Sequence, residues 1–418
     1  MIGIIGCGAS GMLAAIMAAR SGCKVTVLEH NDRPGRKLLA TGNGKCNLTN
    51  EDQSGGNFRS DLPEIAQTIR GQFSKEELLG FFREIGIPAH CRRGYWYPQC
   101  EQASAVVTAL AEELRRLCVR VLYGVDVVRA ERSAEGGNDG FIVTLNDSGI
   151  TRTMRFDQMV LACGGPAGDR LGQSDFGFRA LRSLGVPVMR YQPALVPLVL
   201  ERTGVDANAD IAGVRLEAEL TLVCGTDEYR EKGEIVWTDY GISGIPVMQL
   251  SRYAAKALND RRDVRITVDM VPDFTADEIY QEVMSRRMNP VFTERNASEA
   301  LLGIVPEKIS NWLMTRAGIS AKEPFAKTSE AGLARYSEDL SGLTLRVKGL
   351  RPYAQAQTTC GGVPLSEVIP ETMEIKAVPG LYVTGELLDV DGACGGYNLQ
   401  WAFATGAVAG RALGRRNA

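Results

Sequence analysis

The residues of this chain best suited to chemistry stand at its start: Gly6-Cys7-Gly8-Ala9-Ser10-Gly11, with Glu29 further on. Gly6 allows a tight turn, Gly8 lets the backbone approach a pyrophosphate, and Gly11 lets a helix pack closely on a strand. Ala9 and Ser10 fall in the turn itself, and the N-terminus of the helix that follows offers unpaired N–H groups to the phosphates. Glu29 would accept from a ribose hydroxyl, and an acid there disfavours a 2′-phosphate, which leaves NAD or FAD. The elements that must position these groups are legible around them. Ile2–Ile5 reads as a buried strand, residues 12 to 19 as a helix and residues 24 to 28 as a second strand. Turn and acid therefore share one unit of about 30 residues, as the motif requires.

Two further stretches offer ligand groups. Residues 31 to 50, "NDRPGRKLLATGNGKCNLTN", carry no helical or strand periodicity and read as a loop laid across something polar. Arg36, Lys37 and Lys45 there can neutralise phosphate, and the turn Gly42-Asn43-Gly44 can present backbone N–H groups. Residues 380 to 410 read as a strand over 381 to 384, the pair Gly385-Glu386, a loop rich in glycine and acids over 389 to 396, and a helix over 398 to 412. A helix entered through Gly395-Gly396 presents its N-terminus to an anionic or electron-rich group. A nicotinamide enzyme completes its cofactor site in the first half of the chain. A flavin is longer, so its ADP part can lie on the first turn while its ribityl chain and ring reach a second glycine turn, with Glu386 or Asp391 holding ribityl hydroxyls. Between these ends, Gly164-Gly165 forms another strand-to-glycine turn after a short buried strand over 158 to 162.

Composition narrows the function classes. The chain has 418 residues, 23% of them charged, and a formal net charge of -3, so nothing global draws it to nucleic acid or an anionic membrane. No apolar run approaches the roughly 20 residues of a membrane span, and the apolar start is a Rossmann strand, which predicts a cytoplasmic chain. Ten cysteines without a CxxC pair fit a reducing compartment. With only His30 and His90, a Ser-His-Asp triad or a histidine-rich metal site is disfavoured, and no metal is expected.

The remaining chain alternates in character. Residues 61 to 87 and 102 to 117 read as helical, "YWY" at 95 to 97 as aromatics in a loop, and residues 125 to 162 as a β-meander with turns at Gly136-Gly137 and Asp147-Ser148-Gly149. Strand alternation fills 190 to 240, helical periodicity runs from 245 to 318, and strands return over 343 to 369. This predicts an α/β chain with an FAD-binding domain over 1–189 and 353–418, a β-barrel-like substrate domain over 190–243 and 325–352, and a helical lobe over 244–324.

The stretches "GCGASGMLAAIMAA", "GRKLLATGNGKCNLTN", "TTCGGV" and "GELLDVDGACGGYNLQWAFATG" resemble those of the BaiN-like (YhiN-like) FAD-dependent oxidoreductases, whose members are described as 3-dehydro-bile-acid reductases or aminoacetone oxidases. The resemblance implies a glutathione-reductase-type FAD domain interrupted by a β-barrel-like domain with a helical lobe. It also implies FAD contacts at Gly6, Gly8, Ala9, Ser10, Gly11, Glu29, the loop from Arg36 through Lys37 and Asn43 to Cys46, Val127, Ala162, Gly164, Gly385, Glu386, Asp391, Gly396 and Tyr397. The chain departs from the family at Cys7, where glycine is commoner, and at Asp239, where relatives often carry histidine.

The expected activity is hydride transfer through flavin N5, with reduction of an enone by NADH or NADPH leading and oxidation of a small amine as the alternative. A third reading is a flavin-bearing RNA-modifying protein that uses Arg261, Arg262, Arg265, Arg286 and Arg287. A small-molecule substrate, no nucleic-acid or membrane partner, and a monomer or homodimer are the expectations. Tyr397 and Tyr97 are the candidate proton donors, with Tyr95 beside them. Cys46 in the loop reads as a bystander.

Overall fold

The computed structural model describes residues 1–133, 140–147, 149–168, 174–207 and 209–417. The turn predicted at Gly136-Gly137 and the centre of the one at Ser148 lie outside the described residues. The chain divides into two compact units, Met1–Gln192 with Gln357–Ala418, and Pro193–Ala356.

In the first unit five parallel strands form one sheet, in the order Leu381–Val383, Gln158–Leu161, Ile2–Ile5, Val25–Leu28, Arg120–Leu122. The strands Ile2–Ile5, Val25–Leu28 and Gln158–Leu161 are buried along their whole length, as continuous apolar runs in a parallel sheet must be when both faces are covered. Two helices, Ala9–Arg20 and Tyr397–Asn417, pack against each other almost without intervening side chains. A Cβ on Gly406 would stand 2.3 Å from the Ser10 carbonyl oxygen, and one on Gly410 2.5 Å from that of Ala14. With Gly414 these residues recur every fourth position along one helix face, so the two backbones can touch. An antiparallel three-stranded sheet, Val125–Arg132, Phe141–Asp147 and Ile150–Phe156, realises the predicted meander.

In the second unit six antiparallel strands close into a barrel: Leu198–Leu200, Gly241–Gly244, Asp227–Trp237, Arg215–Cys224, Val264–Asp269 and Leu343–Leu350. Their buried residues Leu220, Leu222, Ile235, Ile266 and Val268 share one hydrophobic core with residues of the helices Ile245–Asn259, Ala276–Met288, Glu307–Arg316 and Glu330–Gly342.

The structure therefore has the expected α/β Rossmann-like class with an antiparallel barrel and helices, and it corrects several local readings. Residues 245 to 318 are not uniformly helical, because Val264, Ile266 and Val268 alternate with polar residues and place β-branched side chains on one strand face. The loop over 31 to 50 contains a short helix, Arg36–Ala40, and a 3-10 turn, Thr41–Gly44. The aromatics at 95 to 97 belong to a strand, Tyr95–Pro98, paired with Ala89–Arg92 and with Thr49–Asn50. The run 61 to 87 breaks into Pro63–Gly71 and Lys75–Glu84, the second started by a capping box at Ser74.

Candidate functional site

The three glycines of the first turn meet three different surroundings. Gly6 has φ +104, and a Cβ there would lie 2.6 Å from the Ala162 carbonyl oxygen. A Cβ on Gly11 would lie 2.0 Å from the Gly6 carbonyl oxygen. One on Gly8 would meet no atom within 4 Å. Gly6 and Gly11 thus close the turn on itself, and Gly8 faces open space. Gly8 also precedes the helix Ala9–Arg20, whose first turn has no side-chain cap and no acidic residue. That N-terminus is left available to an anion.

Glu29 is buried and already engaged. Its Oε2 accepts from the Cys7 N–H at 2.7 Å, and its Oε1 accepts from the Asn31 backbone N–H at 2.8 Å and the Asn31 side-chain amide at 2.7 Å. Arg36 in turn donates to Asn31 Oδ1 at 2.9 Å. The acid therefore ties the glycine turn to the following loop, and Cys7 takes part through its backbone. Oε2, which accepts a single hydrogen bond, keeps acceptor capacity for a ribose hydroxyl.

The three cations read as phosphate ligands each have a partner within the first unit. Lys37 pairs with Glu386, whose other oxygen accepts from Thr359 at 2.8 Å, while Lys45 pairs with Glu101 at 2.8 Å. Lys37 and Glu386, which stand at opposite ends of the sequence, thereby close on one another beside Gly165, where a Cβ would fall 2.9 Å from Glu386 Oε1. Gly164 precedes it with φ +69.

The two distant glycine turns converge. Gly385 has φ +68, donates its N–H to Thr405 Oγ1 at 2.9 Å, and would place a Cβ 2.9 Å from Ser10 Oγ, in the first turn of the N-terminal helix. Further along, Asp391 is buried on a strand that pairs with Phe58–Arg59. Gly395 lies against Asn50, Tyr95 and Tyr397, and Gly396 against Asn47 and Thr49. Tyr397 is 4% exposed, its ring edge-on to Phe58 at 5.3 Å, and burial pushes its hydroxyl well above the ordinary tyrosine range, so it keeps its proton. Tyr97 lies on the strand Tyr95–Pro98, with Gly42 and the Arg92 guanidinium near its ring. Val127 is half-buried on its strand.

Cys46 is buried with φ +60, and Asn43 has φ +54, both in the left-handed region that non-glycine residues rarely take. Burial pushes the Cys46 thiol up to about 12, and Cys163 likewise to about 12. Both are neutral thiols at physiological pH, without the thiolate that nucleophilic chemistry needs. Iodoacetamide at pH 8 is expected to alkylate the exposed Cys91, Cys100 and Cys118 and to spare Cys46 and Cys163 until the chain unfolds, as peptide mass mapping would read.

Asn47 Oδ1 and Thr384 Oγ1 are buried without a hydrogen-bond partner among the described residues. An unmet buried acceptor or hydroxyl costs about 1–3 kcal/mol. Both lie next to glycine turns, Asn47 against Gly396 and Thr384 before Gly385. With the open face at Gly8 they fit a long, polar dinucleotide that supplies the missing partners. Asn31, Asn47, Thr359 and Thr384 were missed in the sequence because nothing in their spacing sets them apart from ordinary loop residues.

Four of the five arginines read as phosphate-facing are paired within the second unit: Arg262 with Asp227 at 2.8 Å, Arg265 with Asp263 at 2.7 Å, Arg286 with Glu282 at 2.6 Å and Arg287 with Glu330 at 3.2 Å. Asp239 is exposed in the turn before Gly241–Gly244. Among the described residues no cluster of three or more His, Cys, Asp or Glu side chains could hold a metal, and no helix is long and apolar enough to cross a membrane.

A parallel sheet bearing a glycine turn, a buried acid just after its second strand and a second glycine turn far along the chain defines a flavoprotein oxidoreductase with a Rossmann FAD-binding domain. More particularly, the chain belongs to the family described as HI0933-like protein Rossmann domain, which it matches over residues 1–412. It is 38% identical to a 3-dehydro-bile acid delta(4,6)-reductase of Clostridium scindens, covering 99% of each chain. It is 27% identical to a ribosomal RNA dihydrouridine synthase of Haemophilus influenzae, over 99% of this chain and 98% of that one. The crystal structure of a 3-ketosteroid delta1-dehydrogenase from Sterolibacterium denitrificans shares the fold, with TM-score 0.50 and 12% identity over 99% of each chain.

Proposed function

We propose that this chain is an FAD-dependent reductase that saturates a carbon–carbon double bond conjugated to a carbonyl, with NADH or NADPH as donor. The observation that carries this reading is the end-to-end 38% identity to a relative named as a 3-dehydro-bile acid delta(4,6)-reductase. When bound, FAD would supply the hydride-transfer chemistry that links a nicotinamide donor to the β-carbon of the enone. One nicotinamide and one proton are consumed for each double bond. The chain's own task is to hold the cofactor between the turns at Gly8 and Gly396 and to supply the proton for the α-carbon. Tyr397, neutral and buried beside Gly395, is the proposed donor, with Tyr97 as the second candidate.

A second reading has its own support, because relatives named for ribosomal RNA also match over nearly the full chain. The two share one chemistry, since a uracil ring also carries a double bond conjugated to a carbonyl. The ion-paired arginines of the second unit favour the small enone, because a surface whose cations are already neutralised gains little from phosphate. Oxidation of a small amine is the remaining alternative. Cytoplasmic location, a monomer or homodimer, and the three-part division at 189, 243, 324 and 352 stay part of the proposal.

Anaerobic stopped-flow tests it. NADH or NADPH should bleach the bound flavin, and a steroid dienone should then restore its colour. Recovery with an rRNA transcript and none with the dienone would replace the substrate class. Hydrogen peroxide formed in air from aminoacetone would point to the oxidase, and a flavin that neither nucleotide bleaches would remove the donor.

A further inference from the structure

The buried Asn47 has no role in the hydrogen-bonding of the protein itself. Its side chain is 8% exposed, and its amide oxygen is fully enclosed with no donor in reach. The segment carrying it is held on both sides. Leu48 donates its N–H to the Trp96 carbonyl at 2.8 Å, Thr49 donates its hydroxyl to Gln400 Oε1 at 2.6 Å, and the Gln400 side-chain amide donates to Gln53 Oε1 at 2.7 Å. Arg70 anchors Gln53 through a 2.7 Å hydrogen bond to the same oxygen. The backbone that carries Asn47 is therefore held in place, and its amide oxygen is enclosed there. That oxygen lies against Gly396, where a Cβ would stand only 2.8 Å from it, at the entry to the helix Tyr397–Asn417.

A desolvated acceptor beside a helix N-terminus suits a group that combines an electron-rich edge with an adjacent N–H donor. The helix end supplies donors for the electron-rich oxygen. The amide oxygen requires an N–H. The pyrimidine ring of a flavin carries both, as an imide N–H flanked by two carbonyls. We propose that Asn47 accepts a hydrogen bond from the flavin imide N–H and so fixes the ring in register with the Gly396 turn. This rests on FAD lying in the first unit, and it assigns a ring-positioning residue that the glycine motifs do not identify.

The test pairs a variant with a cofactor analogue and reads binding. Apoprotein and its Asn47→Ala variant are titrated with FAD and with FAD methylated at the imide nitrogen, following flavin fluorescence, after thermal melting has shown that both apoproteins are folded. Loss of a hydrogen bond to a buried partner is expected to weaken FAD binding to the variant about tenfold or more. Methylation should weaken binding to the wild-type chain by a similar factor and to the variant by little, since the acceptor has gone. The midpoint potential of the bound flavin should shift in the variant as well. Equal penalties for the analogue in both proteins, or none in the wild type, would overturn the assignment while leaving FAD binding intact. A folded wild-type chain that takes up no FAD would sink the cofactor reading itself.

Discussion

Gly406→Val is expected to cost about 3 kcal/mol of stability or more, because the added atoms meet the backbone of another helix and no rotamer relieves them. The Cβ alone would stand 2.3 Å from the Ser10 carbonyl oxygen and 3.0 Å from the Ser10 Cα. Separating the helices displaces the turn at Ser10 on which Gly385 also rests, so bound flavin should be lost together with stability. Chemical denaturation of the variant followed by flavin fluorescence reads both. Gly80, within the helix Lys75–Glu84, is the control. A Cβ there meets nothing within 4 Å, and Gly80→Ala should stabilise by about 0.5–1 kcal/mol through helix propensity. A Gly406→Val chain that melts like the wild type would mean that the helices can part at no cost.

Gly8→Val separates folding from cofactor binding. No protein atom lies within 4 Å of the added Cβ, and Gly8 has φ -86, which any residue tolerates. The apoprotein should lose less than about 1 kcal/mol, from the poorer helix cap. FAD should bind ten- to hundredfold more weakly, because the isopropyl group fills the space through which a pyrophosphate reaches the helix end. Thermal melting of the apoprotein and FAD titration make the comparison. Unchanged affinity would move the pyrophosphate away from this turn.

Those two glycines show how unevenly the sequence speaks. Gly8 and Gly11 were readable because the dinucleotide motif assigns each a separate task, and the structure gives them opposite surroundings, open at Gly8 and closed at Gly11. Glu29 was readable as an acid at a strand end, but its engagement with Cys7 and Asn31 was not, because hydrogen bonds within a turn leave no periodic trace. The barrel strand Val264–Asp269 did leave one, in its alternating valines and isoleucine, yet it was submerged in the helical pattern on both sides. The fourfold spacing of Gly406, Gly410 and Gly414 was equally visible as small residues in a helix, and only the partner helix gives it meaning. Asn47 lies at the far limit. Its sequence context marks a loop, and its isolation as a buried acceptor exists only in three dimensions.

The glycine-lined contact between the helices Ala9–Arg20 and Tyr397–Asn417 also bears on biosynthesis. A ribosome releases the first of these helices early and must translate the whole second unit before the other emerges, whereas that unit, Pro193–Ala356, is contiguous and can complete its barrel while the opening strands still wait. The nascent chain thus carries a finished barrel and a half-built nucleotide fold, in which the strand Gln158–Leu161 remains an open sheet edge until Leu381–Val383 arrives to pair with it.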